Sequence, residues 1–330
     1  MSSVSVPLVA AAHASDPRRR AMVALGRIEA RRAMRSPWVV VVALYTAWTA
    51  ANASGADWSG AAYSLLPLYF VPLGAFASFQ GLRAGGRDRH LDRPALAEEA
   101  ALGEEERVLG RLLGLSVWVV VAAVGVAVVE VGSRIEGGYW MGEGLRSTQS
   151  AHHTAIELLQ PPAMVAAAGA AGVALGRRFR RRYVVGVGAG FFWFLQWGTW
   201  WAFQWVPMIV VTYVVTQPMT TYAGPASSTE ADFPESWWVE APSEPGDVWV
   251  RQVVSQPLVA GHVLYLIGLT VLFTSNALRH RGPGVEGGRS PLSRRLRWLG
   301  WLTVAAGVVV QLAALGWSLT PGGTGLGQMP

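Results

Sequence analysis

The chain has 330 residues, of which 52% are hydrophobic and only 15% charged, and its formal net charge is +6. A soluble chain of this length usually carries about 25% charged residues and distributes its apolar residues in short periodic patterns. Here the apolar residues form long blocks, most of them near the ~20 residues that cross a bilayer as a helix. Composition therefore excludes an ordinary soluble domain, and membrane topology explains the positive charge better than nucleic-acid binding does.

Two residue types are missing from the sequence, and each absence excludes a chemistry. The chain has no cysteine, so thiolate metal sites, disulfides and cysteine nucleophiles are excluded. All 27 basic residues are arginine, whereas a P-loop requires a lysine that contacts the nucleotide phosphates. The chain therefore cannot hydrolyse ATP through a P-loop of its own, and we expect neither enzymatic activity nor a resident cofactor or metal.

Residues 1–36 are predicted to form a cytoplasmic segment with an amphipathic helix at the membrane surface. Arg27, Arg31 and Arg35 recur every four residues and form a basic stripe on one helical face. Apolar residues lie broadly opposite, although Glu29 interrupts them. Such a helix would rest on the inner leaflet, with its arginines towards phosphate headgroups or a partner, or would serve only as a positively charged anchor.

Seven apolar blocks predict an all-α fold, a polytopic transmembrane bundle of about seven spans. The blocks are residues 37–54, 61–82, 112–129, 158–176, 183–203, 257–278 and 298–319. The arginines of the intervening segments are unevenly distributed between the two sides of the predicted bundle. On the side of the N-terminus there are 24, and on the other side only three. Arginine-rich loops remain in the cytoplasm, so we expect the N-terminus inside, the C-terminus outside and the chain in the cell membrane.

The connection 83–111 is predicted to be a helix–break–helix rather than a simple tether. Its acidic residues are Asp92, Glu98, Glu99, Glu104, Glu105 and Glu106. The first can cap a short helix over residues 95–102, and the next two lie on that helix. The last three place negative charge at the N-terminus of the helix that continues into the third span. A solvated charged loop and a docking surface for a partner both fit this pattern.

The fifth predicted span carries tryptophan and glutamine residues on one helical face. They are Trp193, Gln196, Trp197, Trp200 and Gln204. This stripe could line a route for an amphipathic substrate, or its outer tryptophans could belong to the aromatic belt of the membrane surface. Apolar character continues over residues 207–216, which we interpret as a short outer or re-entrant part of the external loop 207–256.

The centres of the predicted spans hold no Asp, Glu, Arg or Lys, which argues against a carrier driven by protons or sodium. Glu130 lies at the outer end of the third span, and His262 lies several residues inside the sixth, where a helix–helix hydrogen bond is its expected role. His152, His153 and Glu157 precede the fourth span. They could hold a metal, but a structural site wants about four ligands, so an ordinary interfacial pair is favoured.

Small residues in the fourth and fifth spans predict close helix packing. Ala168, Gly172 and Gly176 recur every four residues in the fourth span, and Gly186 and Gly190 do so in the fifth. We expect them to pack these two spans against each other within one chain.

Three of these features together resemble the permease subunits of the type-2 ABC exporters. They are the basic helix before the first span, the charged short helix between spans two and three, and the end of span four at Leu175-Gly176-Arg177-Arg178-Phe179. The resemblance covers roughly residues 21–278. It implies that a separate cytoplasmic ABC ATPase subunit contacts the connection 83–111 and that the external loop is partly re-entrant and helical. The family has six spans, so residues 298–319 would add a seventh.

This resemblance divides the chain into a cytoplasmic segment (1–36), a six-span permease core (37–278) and a basic loop with the seventh span (279–330). The expected function is export by alternating access, powered by the ATPase subunit, with a second copy or a paralogue completing the permease in the lipid bilayer. No nucleic-acid partner is expected. Two alternatives remain: a membrane-embedded enzyme with an outer-face His/Glu site, and a non-transporting scaffold or regulatory subunit of a membrane complex.

Overall fold

The structure is a computed structural model that describes residues 17–37, 39–42, 44–45, 48, 63, 66–87, 102–139, 152–179, 182–203, 220–223, 239–240, 251–254, 256–279 and 290–318. The helices are α1 Pro17–Met34, α2 Leu66–Tyr69, α3 Val71–Gly85, α4 Glu104–Ile135, α5 Ala155–Arg178, α6 Arg182–Phe203, α7 Gln256–Ala277 and α8 Pro291–Ser318. Three short strands are β1 Thr220–Ala223, β2 Val239–Glu240 and β3 Arg251–Val254.

Four of the described helices, α4, α5, α7 and α8, are long and apolar enough to cross a membrane. They coincide with the third, fourth, sixth and seventh predicted spans, so a helical membrane protein is confirmed. Helix α6 covers the fifth predicted span, and α3 covers the second half of the second. Of the first predicted span, residues 37–54, only scattered positions lie within the described part of the chain.

The closest helix packing in the centre of the bundle joins α3 to α5. A Cβ atom added at Gly172 or Gly176 would collide with the backbone carbonyl oxygens of Ser78 and Leu82 in α3. Glycine is therefore required at both positions because the two backbones touch. The expectation that this stripe packs against the fifth span is wrong: spacing identifies the small-residue face of a helix, but not the helix that it meets.

Helices α7 and α8 form a second tight pair through their own glycines. A Cβ at Gly268 would lie 2.6 Å from the backbone nitrogen of Val304. Ser275 and Ser293 tie the helices together at one end, since each hydroxyl donates to the carbonyl oxygen of the other residue, at 2.7 and 3.0 Å. The helix of the predicted seventh span is thus packed closely against that of the sixth.

Helix α1 packs along the first turns of α4 through small residues. A Cβ at Gly110 of α4 would meet the carbonyl oxygen of Met22, and Ala33 of α1 is buried. Arg27, Arg31 and Arg35 all lie on the exposed side. The basic stripe is therefore exposed, and the opposite face of the helix is occupied by α4; whether the arginines contact headgroups or a partner stays a prediction.

Three strands of the predicted external loop form a small antiparallel sheet with the order β1-β3-β2. Thr220 pairs with Val254, and Val239 pairs with Val253. Sequence analysis predicted an external loop over residues 207–256 but no strands. The strands are only two to four residues long, too short for a clear alternation of polar and apolar residues.

Candidate functional site

A large cavity lies between α3, α5, α6 and α7 and has a volume of about 1000 Å³. Its inner part is lined by small and aromatic side chains, including Ala167 and Trp193. Its other part is lined by Arg177, Arg178 and Arg279, which stand where α5 and α7 end. Helices α3, α5 and α7 end on this side of the bundle, and α4 and α8 begin there. We call this side the arginine-rich end.

One residue of the predicted tryptophan and glutamine stripe lies at the wall of the cavity. Trp193 is 6% exposed, and a Cβ at Gly74 of α3 would lie 2.9 Å from its ring. The side chains of Gln196, Trp197 and Trp200 lie outside the described part of the structure, as does Gln204. A substrate route along the whole stripe therefore stays a prediction, with its first residue at the cavity wall.

An ion pair connects the cavity to the predicted coupling connection 83–111. Glu104, in the first turn of α4, accepts a hydrogen bond from the Arg177 guanidinium. The same guanidinium lies 3.5 Å from the Arg279 carbonyl oxygen at the end of α7. Arg177 is 7% exposed, and a buried charge requires a partner. Through this one side chain, the start of α4 is bound to the cavity wall.

The beginning of the same connection is anchored to α1. Arg87, just after α3, forms an ion pair with Glu29, and Arg32 donates to the same carboxylate at 3.2 Å. Glu29 is buried, which explains the acidic residue that interrupts the apolar face of α1 in sequence. Both ends of the segment between Arg87 and Glu104 are therefore held by ion pairs to other helices.

The remaining acidic residues of the coupling prediction divide into two groups. Glu105 and Glu106 lie in the first turn of α4 beside Glu104, where negative charge stabilises a helix N-terminus. Asp92, Glu98 and Glu99 lie outside the described residues, so the short helix predicted over residues 95–102 stays a prediction.

At the opposite end of the bundle, His153 is held in a buried group of polar and aromatic residues. Its ring stacks on Tyr63 and meets Tyr139 edge-on, with ring centroids 4.0 and 5.0 Å away. Nε2 lies 3.1 Å from the Tyr63 carbonyl oxygen, and Nδ1 lies 3.4 Å from a carboxylate oxygen of Glu130. Arg134 donates to the other oxygen of Glu130 at 2.9 Å.

The contacts of His153 determine where its hydrogens must be. A carbonyl oxygen can only accept a hydrogen bond, so Nε2 donates to Tyr63. A neutral ring would then present the lone pair of Nδ1 to the Glu130 carboxylate, which is repulsive. The contact of Nδ1 with Glu130 is a buried connection between α4 and the start of α5.

Glu157 forms the second half of this group. The Tyr63 hydroxyl donates to one carboxylate oxygen at 2.6 Å, while the backbone nitrogen and hydroxyl of Thr154 lie 2.7 and 2.8 Å from the other. Thr154 caps α5 in return, and its hydroxyl lies 2.6 Å from the side-chain oxygen of Gln256 at the start of α7. We name Tyr63, Glu130, His153, Thr154, Glu157 and Gln256 the polar latch.

The polar latch has the features of a structural connection. His153 and Glu157 are 3% and 2% exposed, so bulk solvent and a substrate do not reach them. Among the described residues, no group of three or more His, Asp or Glu could hold a metal ion. Burial, together with the charge of Glu130, raises the pKa of the Tyr139 phenol, which therefore stays neutral beside His153.

Sequence reasoning identified His153, Glu157 and Glu130 separately but not the latch that unites them. Tyr63 and Tyr139 were missed, because neither residue belongs to a spacing pattern and Tyr63 is 90 positions from His153 in the chain. His262 is fully buried in α7, with its ring 5.7 Å from that of Tyr265.

Comparison with known proteins gives no match to a family model and none to a curated protein. The class of protein therefore follows from the structure alone. It is a helical membrane protein with an ion-paired, arginine-rich end, a large cavity beside that end and a buried polar latch at the other.

Proposed function

We propose that the chain is the membrane-spanning permease subunit of an ATP-driven exporter, with seven spans, the N-terminus inside the cell and ATP hydrolysed by a separate subunit. The observation that carries the proposal is the ion pair between Glu104 and Arg177. It joins the connection expected to receive the ATPase directly to a wall of the large cavity. A movement of that connection would therefore act on the cavity without an intermediate helix.

The proposed orientation supports this arrangement. With the arginine-rich end in the cytoplasm, as the arginine distribution favours, the cavity and the connection 83–111 both face the compartment that contains ATP. Alternating access would then open and close the cavity as the ATPase subunits approach and separate. A second copy of the chain or a paralogue would complete the permease, since α8 has a broad apolar surface that includes Trp298 and Leu302, 72% and 65% exposed.

The burial of the polar latch favours the exporter over a membrane enzyme. A catalytic His/Glu pair must contact its substrate, but His153 and Glu157 are enclosed by aromatic rings and hydrogen bonds. A latch that joins α4, α5 and α7 suits a transporter, because it would fix the outer end of the helices while the other end moves.

Purification from native membranes tests the proposal. The full chain, tagged and extracted in mild detergent, should carry with it a P-loop ATPase whose hydrolysis rate rises in the presence of the permease. Glu104→Arg should lower that stimulation, whereas Glu105→Arg, an equal charge change at the neighbouring residue, should lower it less. If no P-loop ATPase is recovered with the chain, the chain is not an exporter subunit.

A further inference from the structure

The cavity at the arginine-rich end combines two chemically different regions. Its apolar wall is formed by the small residues Ala167, Ala171 and Ala174 of α5, together with Gly188 and Phe192 of α6. None of these residues carries a charge. There is also space beside Gly188, because a Cβ atom added there would have no neighbour within 4 Å. The volume of about 1000 Å³ lies at the upper end of the range for ligand pockets.

One part of the cavity is lined by arginines. They are Arg177, Arg178 and Arg279, and no acidic residue is among the described lining residues. Glu104 pairs with Arg177 from outside the cavity. The Arg178 guanidinium lies over the ring of Phe179, 5.9 Å from its centre. Guanidinium groups bind phosphate through paired hydrogen bonds.

The dimensions of the cavity correspond to one leaflet of a bilayer. Arg178 lies eleven residues beyond Ala167 on the same helix, which places them about 16 Å apart along its axis. The hydrocarbon core of a membrane is about 30 Å thick, so one leaflet accounts for about half of it. An acyl chain that follows the alanine wall from the arginines would end near the middle of the membrane.

We propose that this cavity binds an anionic lipid. The acyl chain lies along the wall formed by Ala167 of α5 and Gly188 of α6, and the phosphate headgroup lies at Arg177, Arg178 and Arg279. The apolar wall selects a chain, and the three arginines select a negative headgroup over a zwitterionic one. This binding does not depend on nucleotide or on an ATPase.

Lipid binding to the purified full-length chain tests the proposal. The delipidated protein in neutral detergent is mixed with dioleoyl phosphatidylglycerol, dioleoyl phosphatidylcholine or glycerol phosphate, and the bound molecules are counted by native mass spectrometry. Phosphatidylglycerol should be retained at least fivefold better than phosphatidylcholine. The double variant Arg178→Gln, Arg279→Gln should lose that preference. The double variant Arg294→Gln, Arg295→Gln removes equal charge at the start of α8, outside the cavity, and should keep it.

A second pair of variants tests the apolar part. Gly188→Leu should fill the cavity and lower phosphatidylglycerol retention at least fivefold, whereas Val187→Phe, one residue earlier on the exposed side of α6, should not. Thermal unfolding in the same detergent verifies that each variant is folded. Equal retention of the two lipids, unchanged retention in Gly188→Leu, or equally strong binding of glycerol phosphate would overturn the proposal. Because no ATPase is present, these results are independent of whether the chain belongs to an exporter.

Discussion

The imidazole of His153 lies almost flat against the ring of Tyr63, with ring centroids 4.0 Å apart and planes 12° from parallel. The two residues also share a hydrogen bond from Nε2 to the Tyr63 carbonyl oxygen. The Tyr63 hydroxyl then continues to Glu157. Tyr63 thus contacts Glu157 directly and Glu130 through His153, since Glu130 lies 3.4 Å from the other ring nitrogen, Nδ1.

This double role predicts graded effects at Tyr63. Tyr63→Phe keeps the stacked ring but leaves an oxygen of the buried Glu157 without its donor, which should cost about 1–3 kcal/mol. Tyr63→Ala should cost more, because it also removes a fully buried ring. Thermal unfolding in detergent, followed by near-ultraviolet circular dichroism, measures both. Tyr183→Phe, at a side chain that is 91% exposed, should leave the transition unchanged; an equal loss there would contradict a specific latch.

A double-mutant cycle measures the connection between α4 and the cavity wall. Glu104→Arg and Arg177→Glu each leave like charges opposed and should lower stability. The combined variant should recover part of the loss, with a coupling energy of about 0.5–3 kcal/mol. If the two single effects simply add, the ion pair does not exist in solution and the proposed route from connection to cavity fails.

The glycines of α5 predict effects of opposite sign for the same substitution. Gly172→Ala would push a methyl group into the carbonyl oxygen of Ser78, so the stability of the folded chain should fall. Gly169→Ala, one turn earlier, meets no atom within 4 Å and should stabilise the helix by up to about 1 kcal/mol, as alanine favours helix over glycine. Both transitions are measured by thermal unfolding in one detergent. A similar loss in both variants would show that α5 does not touch α3 at Gly172.

The sequence predicted the helices better than the contacts between them. Apolar blocks near twenty residues locate α4, α5, α7 and α8, because a membrane requires both length and low charge. The partner of the glycine stripe was wrong because helical spacing carries no information about neighbouring helices. In the sequence Glu29 only interrupts the apolar face of α1. Its ion pair with Arg87 could not be predicted, because the two residues are 58 positions apart in the chain. The cavity could not be inferred at all, because a cavity depends on how four helices diverge.

The absence of cysteine makes the proposed orientation directly measurable, because a single introduced thiol has no competitor. Glu136→Cys, at the exposed C-terminal end of α4, should react with a membrane-impermeant maleimide in intact cells. Arg294→Cys, exposed near the start of α8, should react only after the membrane is opened. The unmodified chain is the control and should not react. The reverse pattern would place the arginine-rich end outside, away from cytoplasmic ATP, and would remove the physical basis of the exporter proposal.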